Sequence, residues 1–87
     1  MLATYAAMTQ FMARVDRKLA LLRAISRLRA SVLALALSTE LLQCGALHLD
    51  PESMAFAEAQ QTVRDNERRI HDDWAQLREY ERFYAGL

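Results

Sequence analysis

Large apolar residues in the first half of the chain recur at alternating steps of three and four: Tyr5, Met8, Met12, Val15, Leu19 and Leu22. Such spacing returns to one face of an α-helix at every step and has the period of a coiled-coil seam. Leu22, Ile25, Leu28, Val32 and Leu35 carry the stripe on after one short step. A three-residue slip in a heptad pattern does this, so the stripe is expected to rotate part-way along the helix. Beyond Arg29 the pattern changes again. The run Val32-Leu33-Ala34-Leu35-Ala36-Leu37, followed by Leu41 and Leu42, is apolar around the whole circumference. A helix of that kind has to be covered on several sides.

The first helix is expected over about 2–44, where neither Gly nor Pro occurs. Gly45 suits a helix C-cap, and residues 45–50 are short enough for a tight helix-helix connection. The restart is signalled by Asp50 as a cap, Pro51 at the first helical position and Glu52 at the positive end of the dipole. Leu49 and Met54 then have the spacing of a hydrophobic staple. The second helix is expected over about 51–85, with Phe56, Val63, Ile70, Leu77 and Tyr84 seven apart on one seam. Ala59, Asn66, Asp73 and Tyr80 complete that seam, which is therefore narrow and partly polar. Asn66 there fits a register-setting role, and Trp74 beside the seam reads as a large packing residue whose indole N–H finds a partner. The pattern predicts a single all-α domain over 1–87, two long antiparallel helices in a hairpin.

An 87-residue chain has room for only a small core, and a lone helical hairpin of this size is marginal. Dimerisation into a four-helix bundle is the expected remedy. Over half the residues are apolar, with two Gly and one Pro, which disfavours disorder and an all-β fold. Eleven cations balance eleven carboxylates, so total charge gives no reason to expect nucleic acid or an anionic membrane as partner. Their distribution is uneven. Up to Leu47 there are six cations (Arg14, Arg17, Lys18, Arg23, Arg27, Arg29) against Asp16 and Glu40, whereas from Asp50 onward there are five against nine. Folding the halves together brings opposite charge face to face, which favours antiparallel pairing.

Cys44 is the only cysteine, so no disulfide forms within the chain, and between Gln43 and Gly45 it has no neighbouring cation to activate it. Thirteen uncharged residues precede Arg14 without the basic start of a signal peptide. The ten uncharged residues between Arg29 and Glu40 are half of the roughly 20 that a membrane span needs. A cytoplasmic protein with no membrane partner is expected.

Few residues suggest chemistry. His48, Asp50, Glu67, His71, Asp72 and Asp73 include metal-ligand types, but only Glu67 and His71, at i and i+4, share a helix face, and two ligands do not close a site. No metal or cofactor is expected. There is no phosphate loop and no nucleophile elbow, and Ser26, Ser31, Ser38 and Ser53 carry no activating signature. The Arg14 to Arg29 stretch contains no aromatic residue to stack on bases, and reads as a solvated or internally paired face rather than a nucleic-acid helix.

The segment Arg14-Val15-Asp16-Arg17-Lys18-Leu19-Ala20-Leu21-Leu22, continuing to Ser26-Arg27-Leu28-Arg29, resembles the first helix of the all-helical chorismate mutases. In that family two cations eleven residues apart grip the substrate carboxylates, and Lys18 and Arg29 have that separation. Leu49-Asp50-Pro51-Glu52, with Phe56, Gln60, Glu67 and Trp74, is similar to the last part of the family, its exported branch especially. The resemblance implies that Glu67 takes the place of the Glu or Gln that hydrogen-bonds the breaking ether oxygen. The family's middle motif, an acidic residue followed by an Arg-Glu pair on a short second helix, has no counterpart between Ala30 and Leu47.

Two functional expectations follow. The first is a non-enzymatic interaction module of chaperone, adaptor or inhibitor type, binding itself as a homodimer or another helical protein through Val32, Leu33, Leu35, Leu37, Leu41 and Leu42. The alternative is a chorismate-mutase-like enzyme, active or degenerate, using Lys18, Arg29 and Glu67.

Overall fold

A computed structural model describes residues 2–87. Two helices account for nearly all of them: α1 (Leu2–Ala46, 45 residues) and α2 (Met54–Gly86, 33 residues). They run antiparallel as a hairpin with extents of 76 × 15 × 15 Å, and there is no strand among the described residues.

α2 packs through the seam its sequence predicts. Phe56, Ala59, Val63, Asn66, Ile70, Asp73, Leu77, Tyr80 and Tyr84 are all buried or half-buried, while the positions between them are almost all exposed. The facing residues of α1 are Lys18, Leu21, Ile25, Leu28, Val32, Leu35, Thr39, Leu42 and Ala46, again alternating three and four. Register follows from contacts between the helices. Lys18 Nζ sits 5.6 Å from the centre of the Tyr84 ring, Arg29 reaches Glu81 and Gln43 reaches Glu67, so the two seams run antiparallel against each other over the whole length of α2. Leu77 (1% exposed) and Val32 (2%) lie deepest. Thr39 is the one buried polar residue among the described residues, and its Oγ1 donates to the Leu35 carbonyl at 2.7 Å, so the hydroxyl enters the seam without an unmet hydrogen bond.

One edge of the hairpin carries the polar contacts between helices. Arg29 Nη2 donates to Glu81 Oε1 at 2.6 Å and Gln43 Nε2 to Glu67 Oε1 at 3.5 Å. Both Arg29 and Glu81 are largely exposed, which limits such a pair to about 0–1 kcal/mol. It is the only ion pair between the helices among the described residues. The opposite charges of the two halves thus act mostly as a diffuse field rather than through contacts. Trp74 projects from the same edge, still 45% exposed, and its packing is less complete than its size suggests.

The connection differs from the expected one at both ends. α1 continues through Gly45 to Ala46, and no glycine among the described residues has a positive φ, so Gly45 is a helical residue rather than a left-handed cap. His48 N donates to Gly45 O at 3.1 Å and Leu49 N to Ala46 O at 3.0 Å, a tightened final turn that satisfies two of the helix's end carbonyls. Burial of Ala46 rewards the extra turn. At the restart, Asp50 does not cap α2. Its Oδ1 accepts from Glu52 N at 3.0 Å, and Ser53 N donates to its carbonyl at 3.0 Å, closing a β-turn with Pro51 at the second position. Ser53 is the N-cap, with extended backbone (φ −80°, ψ 154°) and its Oγ accepting from Phe56 N at 3.1 Å. The helix therefore starts three residues after Pro51, and Leu49 and Met54 do not stand in staple positions. Met54 is 79% exposed.

Candidate functional site

α2 ends level with Lys18, so the preceding turns of α1 project beyond it. The stripe Tyr5, Met8, Met12, Val15, Leu19, Leu22 belongs mainly to this projection and is set one position round from the inner repeat: Leu19 follows Lys18, and Met12 and Tyr5 precede Leu19 by sevens. One position is about 100° of rotation, which turns the stripe away from α2. Leu19 (45% exposed) and Leu22 (40%) accordingly face away from α2, while Tyr5 (73%), Met8 (66%) and Met12 (53%), with Phe11 beside them, lie beyond its end with no neighbour. Only Val15 is half-buried. The expected mid-helix slip is thus two parallel stripes on different faces, an inner one from Lys18 onward and an outer one from Tyr5 to Leu22.

The apolar run from Val32 to Leu42 is divided in the same way. Val32, Leu35 and Leu42 turn inward against α2 and are not available to a partner while the hairpin is intact. Leu33, Leu37 and Leu41 turn outward at 63–68% exposure. Leu33 is two heptads beyond Leu19 and so holds the same place relative to α2; with Ser26 between them, the outer apolar face extends discontinuously along α1. One helix neighbour covers only half of this circumference.

Lys18, Arg29 and Glu67 lie apart within the single chain. Lys18 lies over Tyr84, Arg29 is held by Glu81, and Glu67 accepts from Gln43. Along α2, Glu67 stands roughly 21 Å from Glu81, which holds Arg29, and roughly 25 Å from Tyr84, over which Lys18 lies. Gln60 instead lines an open hollow of about 350 Å3 beside the turn, with Gln43, Ala46, Leu47, Phe56, Val63 and Arg64. Cys44, His48 and His71 are all exposed. His71 Nδ1 is 3.8 Å from Asp72 Oδ1, and no group of three or more His, Cys, Asp or Glu is placed to hold a metal ion among the described residues. No helix of the described residues is long and apolar enough to cross a membrane.

The feature that reasoning from sequence missed is the exposure of the Tyr5 to Leu22 stripe. Its signal was the offset of one residue between that heptad and the Lys18, Ile25, Val32, Thr39, Ala46 repeat. No known protein family matches the chain, and neither a curated protein nor a solved structure matches it.

Proposed function

We propose that the chain is a non-enzymatic association module that works by burying the outer apolar face of α1 against another helix, its own second copy or a different helical protein. The observation carrying this reading is a row of large apolar side chains, Tyr5, Met8, Met12, Leu19 and Leu22, left in solvent mainly on the part of α1 that projects beyond α2. Contiguous apolar surface beyond a few hundred Å2 is unusual on a soluble monomer and marks an interaction site. Lys18, Arg29 and Glu67, the residues of the alternative reading, do not converge within one chain, since Arg29 is engaged with Glu81, Lys18 with Tyr84 and Glu67 with Gln43. A small chaperone, an assembly adaptor or an inhibitor would each use such a surface.

The test is affinity capture of the tagged full chain from its host, beside Met12→Glu, with a second copy bearing a different tag expressed in the same cells. The wild type should retain a stoichiometric chain, either the second copy or another protein. Met12→Glu should release it, because a carboxylate would be forced into a desolvated contact. A wild type that holds neither, or a variant that holds the same chain equally well, overturns the reading.

A further inference from the structure

The geometry points to a second copy of this chain as the occupant of the outer stripe, bound antiparallel and overlapping only at the α1 projections, so that the two hairpins extend in opposite directions. This inference rests on the association reading and names its partner. Tyr5, Met8, Met12, Val15, Leu19 and Leu22 are spaced three, four, three, four, three, which reads the same in both directions. A two-fold axis between Ala13 and Arg14 therefore sets Tyr5 opposite Leu22 of the second copy, Met8 opposite Leu19 and Met12 opposite Val15. These are the complementary seam positions that antiparallel helices bring together, and a two-fold interface must be self-complementary in this way.

Charge selects this arrangement over its alternatives. The axis falls on the boundary between residues 1–13, which carry no charge, and the stretch from Arg14 to Arg29, which carries six cations and one carboxylate. Antiparallel pairing lays the cationic stretch of each copy beside the uncharged stretch of the other. A parallel pair in register would instead align Arg14, Arg17, Lys18 and Arg23 with their own counterparts, and like charges across an interface are unfavourable. α2 does not obstruct the contact, because it packs on a face about 100° away.

Area is adequate as well. Five exposed side chains per copy, each offering on the order of 100 Å2, together bury on the order of 1,000 Å2 across both copies. Phe11, 61% exposed beside the stripe, brings the contact close to the roughly 1,200 Å2 at which specific interfaces begin.

Cysteine cross-linking of full-length chains tests the pairing. Met8→Cys and Leu19→Cys are prepared separately on a Cys44→Ser background, checked for unchanged helicity, mixed and mildly oxidised. The mixed disulfide between positions 8 and 19 should exceed both self-linked products. Preferential self-linking of each variant, or no linking above that of denatured chains, overturns the inference. Small-angle scattering of the unmodified protein supplies the second readout: the overlapped dimer should have a maximum dimension of roughly 110 Å. A particle of dimeric mass that stays near the 76 Å of one hairpin would be a side-by-side bundle and also overturns it. A purified monomer that still captures a different helical protein through the stripe removes the second copy as occupant while leaving the association reading standing.

Discussion

Ser53 does for α2 what Asp50 was expected to do. Its hydroxyl accepts from Phe56 N and donates to Asp50 O at 2.7 Å, joining the β-turn to the first turn of the helix. Ser53→Ala should cost about 1 kcal/mol in denaturant unfolding, whereas loss of the Asp50 side chain affects only the turn and should cost less. Equal losses, or a larger one at Asp50, would return the cap to Asp50. Gly45 makes the opposite prediction. It is helical, and a Cβ built on it meets nothing within 4 Å, so Gly45→Ala should stabilise the protein by roughly 0.5–1 kcal/mol, read as a higher unfolding midpoint. The sequence signals of the turn were thus present but ambiguous: Asp50, Pro51 and Ser53 all belong to turn and cap chemistry. Proline suits both the first position of a helix and the second position of a β-turn.

Helix α2 was legible because its heptad repeats without interruption from Phe56 to Tyr84. α1 was harder, because residues on two faces satisfy helical periodicity at once and only a neighbour decides which face is inner. That neighbour is α2, and its end beside Lys18 is a tertiary fact that no local pattern contains. The consequence is a sharp contrast between adjacent leucines. Leu35 is half-buried on the seam, so Leu35→Glu should collapse the helical signal and unfold the hairpin; Leu37→Glu, 63% exposed two residues later, should leave helicity and unfolding midpoint of the hairpin unchanged within about 0.5 kcal/mol. Thermal unfolding followed by circular dichroism separates them. Similar losses from both would mean that the outward leucines are packed after all. Leu77, the least exposed residue, should be the most sensitive on α2, with Leu77→Ala costing about 2–5 kcal/mol, a large part of what so small a domain possesses.

At the level of the whole molecule, two helices in one seam bury only Ile25, Val32, Ala46, Ala59, Val63 and Leu77 as fully apolar core among the described residues. A core of this size supplies little stability by itself, while the outer face of α1 holds a comparable number of large apolar side chains in water. Covering that face would add apolar burial comparable with the core itself. Helical class and antiparallel pairing could be read from periodicity and from the opposed charges of the two halves. The candidate site could be read only in part, as Leu33, Leu37 and Leu41 turned outward but Val32, Leu35 and Leu42 did not. Light scattering after size exclusion, on the purified wild type and on Met12→Glu over a range of concentrations, decides whether a second copy covers the outer face. The wild type should have twice the 10.0 kDa chain mass, and Met12→Glu should fall to the single-chain mass with its helicity retained. A soluble wild type of single-chain mass at every concentration, unaltered by the substitution, would contradict it.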